Sequence, residues 1–203
     1  MAKYRGPRLR IVRRIGSLPG LTKKISKKTN PPGQSNLSST KKISQYGIRL
    51  REKQKLRFHY GVNERQLLNY IVKSRKRKGS SGRILLTMLE MRLDNILFRL
   101  GFAPTIIAAK QVINHGHILV NSKLVNIPSY LCKPRDIVQV KNSDISKSLV
   151  KNNLALSENV IVPEYLSLNK ELLQAKVNSI ASRKSISLTI NELLVIEYYS
   201  RKI

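Results

Sequence analysis

The chain has 203 residues, 41% of them hydrophobic, so it is long and apolar enough to form one compact domain or two small ones. It carries 39 Lys and Arg residues against 11 Asp and Glu residues, and the net charge of +28 predicts a polyanionic partner. The single Cys132 excludes a disulfide framework and a cysteine-rich metal site, and no run approaches the ~18 apolar residues of a membrane-spanning helix.

Residues 1–43 are predicted to be an extended basic arm. They contain no acidic residue, and residues 1–80 hold 23 of the Lys and Arg residues. Adjacent Lys pairs and the Asn-Pro-Pro-Gly break at 30–33 disfavour a long helix. Because such a segment repels itself, we expect a negatively charged partner to order it. A membrane surface fits less well than nucleic acid, since the chain has no Trp and Gly and Pro interrupt the arm.

The first helix predicted after the arm covers residues 47–58. Arg49, Lys53 and Arg57 recur at four-residue steps and therefore lie on one face of this helix. That face has no acidic partner nearby in the sequence except Glu52. The pattern favours a partner that carries phosphate groups.

The second predicted helix begins at Asn63, whose side chain caps the first turn while Gln66 reaches back in a capping box. Its inner face is predicted to be Leu67, Leu68, Ile71 and Val72, and its outer face Arg65, Asn69, Lys73 and Lys76. The outer face is therefore basic, and the four cations of 75–78 continue it up to Gly79.

Leucines at three- and four-residue steps predict one continuous helix from Leu85 to Leu100, with Gly101 as its end. Arg92 and Arg99 lie seven residues apart, so both guanidinium groups are predicted to point the same way from the face opposite the leucines. A guanidinium group can donate two hydrogen bonds to one phosphate. The alternative interpretation is a solvated face without a ligand.

The next stretch changes from helix to strand. A helix is predicted to follow Pro104 and to end near Asn114, and then β-branched residues predict a hairpin of 118–120 and 124–125 with a turn at 121–123. Residues 137–140 are predicted to be a third strand. Together these elements form a small α+β module.

The rest of the chain is less regular. Residues 141–187 are polar and ambiguous, and only a helix near 145–154 is predicted there. The last helix is predicted to be capped by Asn191 and to make apolar contacts through Leu193, Leu194, Ile196 and Tyr198.

Metal binding and catalysis find little support in the sequence. His115 and His117 are alternate residues entering a strand and point to opposite sides, so no metal site is predicted. No Ser-His-carboxylate group, phosphate-binding glycine loop or pair of acidic residues is present, so the chain is predicted not to be an enzyme. Asp94 is the one catalytic candidate, and a salt bridge to a nearby arginine is the favoured interpretation. Cys132 is predicted to be a small core residue.

Several segments carry a family resemblance: 44–47, 50–57, 60–66, 89–95, 101–102, 120–121 and 127–130, together with Arg99, His115 and His117. In these segments the chain closely resembles the small-subunit ribosomal protein S4 family, over nearly its whole length. Residues 4–10, 18–22 and 190–200 resemble the plastid branch of that family. Some bacterial members bind zinc through cysteines in the arm, and this arm has none, so the resemblance implies no metal and no other cofactor.

The resemblance implies an α+β fold with a discontinuous, mainly helical domain. Residues 44–90, completed by 188–203, would form that domain, and an S4-type RNA-binding domain would be inserted at 91–187 with its core at about 91–141. The candidate rRNA contacts are Arg5, Arg8, Arg10, Arg13, Arg14, Arg49, Lys53, Lys55, Arg57, Tyr60, Arg65, Lys73, Lys76, Arg92, Arg99, Lys110, Gln111, His115, His117, Asn121, Lys123 and Tyr130.

The function implied by the resemblance is structural. It is that of a primary 16S rRNA binder that nucleates assembly of the body of the small ribosomal subunit. It also contacts ribosomal protein S5, at an interface that affects decoding accuracy, and other small-subunit proteins, with no membrane or small-molecule substrate. The expected location is the chloroplast stroma, and because the resemblance begins at Met1 we expect an organelle-encoded protein without a transit peptide.

Two alternatives remain open. The Arg-Leu-Asp triplet ending at Asp94 also resembles that of pseudouridine synthases, which carry the same RNA-binding module, so an RNA-modifying enzyme is one of them. A catalytic domain with a glycine-flanked Asp would distinguish such an enzyme, and none is visible. The other alternative is a free-standing RNA chaperone, which would not sediment with ribosomal subunits after a high-salt wash.

Overall fold

Helices and one antiparallel sheet make up the part of the chain that the computed structural model describes, residues 4–28, 30–33, 43–156 and 161–200. The helices are α1 Arg8–Ile15, α2 Gln45–His59, α3 Glu64–Arg75, α4 Ser81–Glu90, α5 Leu93–Arg99, α6 Ile106–Asn114, α7 Asp144–Ala155 and α8 Glu192–Ser200. The strands are β1 Ile118–Val120, β2 Lys123–Leu124, β3 Ile137–Val140, β4 Leu166–Asn169 and β5 Gln174–Val177. This composition confirms the predicted α+β class.

The chain separates into two compact units. Unit 1 consists of Met1–Leu85 and Thr189–Ile203, and unit 2 consists of Leu86–Leu188. Unit 1 is helical, with α2 and α8 packed against each other. Its core includes the fully buried side chains of Leu56, Leu67, Ile71 and Val195. The last helix of the chain, α8, therefore packs on α2, which lies much earlier in the sequence.

The capping box predicted at the start of α3 is confirmed. Gln66 donates its backbone N–H to Oδ1 of Asn63 at 2.7 Å, and Asn63 donates its own N–H to Oε1 of Gln66 at 3.3 Å. The two orphan amides of the first turn are thereby satisfied. The buried face of α3 is Leu67, Tyr70, Ile71 and Ser74, so the predicted Leu68 and Val72 are only half-buried.

The arm is not extended throughout, and this part of the prediction is wrong. Arg8–Ile15 form a helix, and the side chains of Ile11, Leu18 and Leu21 are buried. Arg13 closes the following loop, because its Nε and Nη2 donate to the backbone oxygen of Asn30 at 2.9 and 2.6 Å. Three buried apolar side chains and the hydrogen bonds of Arg13 thus stabilise a segment that was predicted to be extended because of its charge.

The predicted continuous helix over 85–100 is also wrong, because Met91 and Arg92 interrupt it. The backbone of Arg92 is extended, with φ −72° and ψ 140°, and it forms a β-bridge with Leu131. The N–H of Leu93 donates to the carbonyl oxygen of Tyr130 at 2.8 Å, and that of Cys132 to Met91 at 2.9 Å. The leucine spacing persists because both α4 and α5 bury their apolar faces.

Unit 2 contains a five-stranded antiparallel sheet with strand order β2-β1-β3-β5-β4. The predicted hairpin is confirmed, although β2 begins at Lys123, one residue earlier than expected. Its turn places Asn121 and Ser122 in the left-handed region, with φ 50° and 64°. The predicted β3 and α7 are present, whereas β4 and β5 were not predicted. The inner face of the sheet packs in one core with α5, α6 and α7.

The buried face of α8 differs in part from the predicted one. Its buried residues are Val195, Tyr198 and Tyr199, whereas Leu193 is 62% exposed and therefore makes no core contact. Of the predicted contacts Tyr198 is confirmed, whereas the burial of its neighbour Tyr199 was not predicted. Tyr199 places its hydroxyl where it can bond to a carboxylate.

That carboxylate is Glu64, at the start of α3. Tyr199 donates its O–H to Oε1 of Glu64, and Lys53 donates from Nζ to both carboxylate oxygens at 3.1 and 3.0 Å. Nζ of Lys53 also lies 5.0 Å from the ring centre of Tyr198. Burial alone raises the pKa of Glu64, but the hydrogen bonds from Tyr199 and Lys53 and the charge of Lys53 outweigh burial and lower this pKa. The contacts among Lys53, Glu64 and Tyr199 thus connect α2, α3 and α8.

Replacing Glu64 with Gln is expected to lower the free energy of unfolding by about 1–3 kcal/mol at neutral pH, because Lys53 loses the charge of its partner. The lowered pKa means that the contribution of Glu64 is present above its unfolded value of about 4.5 and is lost as the pH falls through the folded pKa. The difference between wild type and E64Q should therefore shrink below about pH 4.5 in urea unfolding.

The control is E171Q, since the side chain of Glu171 makes no hydrogen bond or ion pair within the described residues. This variant should match wild type in urea unfolding at every pH. A difference between wild type and E64Q that stays constant down to pH 3 would contradict the assignment of the titrating group to Glu64.

Candidate nucleic-acid interface

The exposed cations of unit 1 form the largest set of candidate contacts. Those on α1, beside it, on α3 and just after it are Arg5, Arg8, Arg10, Arg14, Arg65, Lys73 and Lys76, and each side chain is exposed. None of them makes an ion pair within the residues that the structure describes. Their charges are therefore available to a negatively charged ligand. Arg13 differs, because its guanidinium group binds backbone carbonyls.

Three further cations belong to this set although they were not among the predicted contacts. Arg75, Arg77 and Lys78 are as exposed as Lys76, at the end of α3 and in the turn that follows. The run 75–78 of four adjacent cations was the signal that could have identified them. Adjacent residues point in different directions, so such a run presents charge on several sides.

Three cations of α2 have acidic partners, and two of these partners were not predicted from the sequence. Nε of Arg49 lies 2.8 Å from Oε2 of Glu197, and Lys53 binds Glu64. Nζ of Lys55 lies 3.8 Å from Oε1 of Glu52. The expectation that Glu52 is the one acidic partner of the face of Arg49, Lys53 and Arg57 is wrong, because α8 supplies Glu197 and α3 supplies Glu64.

Two candidates, one on α2 and one just after it, need further correction, and three cations of α2 stay partly exposed. Lys53 is only 3% exposed and Tyr60 is fully buried, so neither presents its side chain to a ligand. Arg57 is half-buried, with Nη1 3.2 Å from Oε1 of Gln54 and its guanidinium carbon 5.1 Å from the ring centre of Phe58. Within α2, Arg49, Lys55 and Arg57 therefore remain as partly exposed cations.

Arg92 is held inside unit 2 by Asp94. It donates from Nε to Oδ1 of Asp94 at 3.0 Å and from Nη2 to Oδ2 at 2.6 Å. Nζ of Lys110 lies 3.6 Å from the same Oδ2. Both side chains of the pair are about 2% exposed or less. The predicted salt bridge of Asp94 is confirmed, and the predicted outward direction of Arg92 is wrong.

Arg99 is held by Glu90, at the end of α4. It donates from Nη2 to Oε1 at 2.9 Å and from Nε to Oε2 at 3.3 Å. Asn95 donates to Oε2 of the same carboxylate at 2.6 Å, and the hydroxyl of Tyr165 donates to it at 3.2 Å. Burial, and then the charge of Glu90, raise the pKa of Tyr165. Arg99 therefore stabilises the protein interior, and the expectation that it points outward with Arg92 is wrong.

The second candidate surface lies on α6 and the β1–β2 hairpin. Gln111, His115, Asn121 and Lys123 are exposed, whereas Lys110, His117 and Tyr130 are half-buried. Nδ1 of His117 lies 2.9 Å from Oγ of Ser146. The ring centres of His115 and His117 are 6.0 Å apart. Within the described ranges, no cluster of three or more His, Cys, Asp or Glu residues could hold a metal ion.

Cys132 is a buried core residue, as predicted. Burial, followed by the charges of Asp136 and Asp94, raises the pKa of its thiol to about 12. The thiol is therefore protonated at neutral pH and is a poor nucleophile. Burial and then the charge of Asp136 also raise the pKa of Tyr130.

The arrangement suits a ligand that carries many phosphates. Arg and Lys side chains bind phosphate oxygens, and the exposed set is spread over several elements instead of converging on one pocket. None of the helices in the described part of the chain is long and apolar enough to cross a membrane. The geometry fits a long polyanion better than a small molecule.

Comparison with known proteins gives a consistent result. Residues 3–90 match the family described as ribosomal protein S4/S9 N-terminal domain, and residues 91–138 match the S4 domain. A small ribosomal subunit protein uS4c from Euglena gracilis is 62% identical over 205 residues, and one from Mesostigma viride is 59% identical over 204 residues. A uS4 protein from Thermosynechococcus vestitus is 55% identical over 203 residues. Each of the three alignments covers 100% of both chains.

Proposed function

We propose that this chain, which belongs to the ribosomal protein S4 family, is a primary binder of 16S rRNA. In that role it nucleates assembly of the body of the small subunit. The chain is a structural constituent of the small ribosomal subunit and not an enzyme, and its chloroplast-type relatives indicate a plastid subunit. The observation that carries the proposal is the set of exposed cations without ion pairs on α1, α3 and residues 75–78.

The proposed rRNA contacts follow from exposure and pairing. In unit 1 they are Arg5, Arg8, Arg10, Arg14, Arg65, Lys73, Arg75, Lys76, Arg77 and Lys78, with Arg49 and Arg57 as partly exposed contacts. Lys55 pairs with Glu52 and lines the groove assigned below to a protein partner. In unit 2 they are Gln111, His115, His117, Asn121, Lys123 and Tyr130. Arg13, Lys53, Tyr60, Arg92, Arg99 and Lys110 are assigned to support of the fold. The accompanying domain division is a helical domain of 44–90 with 188–203 and an RNA-binding insert of 91–187, which the two compact units support.

A primary binder should recognise rRNA before other proteins are present. We expect the full chain to bind a protein-free chloroplast 16S rRNA transcript with one-to-one stoichiometry and to co-sediment with it. In plastid extract, the tagged chain should stay with small subunits through a high-salt wash. Binding that requires other ribosomal proteins first would contradict the primary role, and loss in the wash would favour a free-standing chaperone.

Ribosomal protein S5 is the proposed protein partner. A groove of about 480 Å³ in unit 1 is lined by residues of both α2 and α8, and it contains apolar side chains such as Ile48 and the exposed Leu193 beside the charged Glu52 and Lys55. This mixture of apolar and paired charged groups fits a protein surface better than a phosphate backbone. The proposed location of the assembled particle is the plastid stroma, which the uS4c relatives support.

A further inference from the structure

We propose that one end of the unit 2 sheet is a separate phosphate-binding surface for rRNA, built from Lys133, Arg135 and Lys176 beside the hairpin residue Lys123. This inference rests on the proposed rRNA-binding function. It adds cations that neither helical periodicity nor strand alternation had marked as candidate contacts. All four side chains are exposed, and none makes an ion pair within the described part of the chain.

Arg135 occupies a backbone conformation that usually belongs to glycine or asparagine. It follows Pro134 in a tight turn closed by the N–H of Asp136, which donates to the carbonyl oxygen of Lys133 at 3.1 Å. At this position φ is +76°. Any residue with a Cβ is unfavourable there, because the Cβ approaches the following carbonyl. A charged residue at such a position suggests a use for its charge.

Asp136 fixes this turn and connects it to the hairpin turn. Its Oδ2 accepts the N–H of Lys133 at 2.7 Å, and its Oδ1 accepts Nδ2 of Asn121 at 2.9 Å. Oδ1 of Asn121 in turn accepts the N–H of Ile137 at 2.9 Å. The carboxylate is thus used to hold two turns in place, and it forms no ion pair with the surrounding cations.

The sheet register brings Lys176 to the same end. The N–H of Arg135 donates to the carbonyl oxygen of Val177 at 2.7 Å, and Val177 donates to Asp136 at 2.9 Å. Lys176 is the register partner of Ile137, the first residue of β3. Glu164 also lies at this end, shortly before β4, and makes no ion pair within the described residues. This end of the sheet therefore carries four cations and, besides Asp136, one acidic residue.

This surface shares Lys123 with the hairpin contacts proposed above, but it is distinct from the contacts on and just after α6, which are Gln111, His115 and His117. His117 precedes β1 and Asn121 follows it, so the two groups lie at opposite ends of that strand. A three-residue strand separates its ends by roughly 10 Å, which exceeds the spacing of adjacent phosphates along one strand. The fixed turns present Lys and Arg side chains, which are the usual donors to phosphate oxygens.

The test compares charge and backbone effects at position 135. Filter binding of the full chain to a chloroplast 16S rRNA transcript over a salt series should show weaker binding for R135G, K133S and K176S. The slope of log affinity against log salt should fall by about one for each cation removed. R135K should restore both quantities. Because glycine accepts a φ of +76°, R135G should melt at or above the wild-type temperature.

K170S is the matched control, since Lys170 is an exposed lysine in the β4–β5 turn, at the opposite end of the sheet. Wild-type affinity and slope in R135G, or equal losses in K170S and R135G, would overturn the inference while leaving the proposed function intact. Failure of the wild-type chain to bind would instead overturn the proposed function and the inference with it.

A photo-crosslinker at position 133 in assembled subunits should react with rRNA, and crosslinks to protein alone would assign this surface to a protein partner.

Discussion

The affinity of the full chain for 16S rRNA is expected to fall by about a thousandfold or more when the salt concentration rises from about 50 to about 200 mM. Each phosphate contact releases condensed counterions, and roughly six to ten contacts give a slope of this size. The unpaired exposed cations on α1, α3 and residues 75–78 are sufficient in number for it. Filter binding at constant temperature measures the slope directly.

Matched double variants show whether the slope comes from the proposed surface. Replacing Arg65 and Lys73 with Ser removes two exposed charges of α3 and should lower the slope by about two. Replacing Lys170 and Lys184, two exposed cations of unit 2, removes the same charge and should leave the slope nearly unchanged. A flat salt response of the wild-type chain would be inconsistent with binding through phosphate contacts.

Replacing Glu90 with Ala is expected to lower the free energy of unfolding of unit 2 by about 3–5 kcal/mol. Glu90 is fully buried and accepts hydrogen bonds from Arg99, Asn95 and Tyr165. Without the carboxylate, the largely buried charge of Arg99 loses its ion-pair partner. Equilibrium urea unfolding, followed by circular dichroism, provides the measurement.

The variant Y165F is the control for this prediction. It removes one hydrogen bond to the same carboxylate and keeps the ion pair, so the expected loss is about 1 kcal/mol. R99A should also lower the stability of unit 2, in contrast to the loss of an RNA contact that the sequence suggested. Equal effects of E90A and Y165F would show that the ion pair contributes nothing beyond a single hydrogen bond.

Local patterns predicted the elements whose signals lie within a few residues. The capping box of α3 needs only Asn63 and Gln66, and the hairpin turn needs only residues 121–123, so both were predicted. By contrast, β4 and β5 each contain four residues in a polar stretch. Their strand conformation depends on pairing with β3 and with each other, and sequence periodicity does not reveal such pairing.

The direction of charged side chains was also predicted only where local spacing determines it. Spacing correctly placed Arg65 and Lys73 on the outer face of α3, because helix geometry alone determines that. Spacing failed for Arg92 and Arg99, because their direction depends on two buried carboxylates and on the break between α4 and α5. It failed for Lys53 because Glu64 lies on another helix. The sequence shows which side chains are charged, but it does not show which carboxylate pairs with each cation.

The position of α8 in the chain has a consequence for biosynthesis. Unit 2 is one continuous segment, whereas unit 1 needs α8, which is synthesised after all of unit 2. Folding that begins on the translating ribosome can therefore finish unit 2 first, while the face of α2 that receives α8 stays uncovered. A product terminated before residue 192 would retain an RNA-binding module but leave Arg49, Lys53 and Tyr46 of α2 without their partners on α8. Unit 1 is therefore complete only after the last helix has been synthesised.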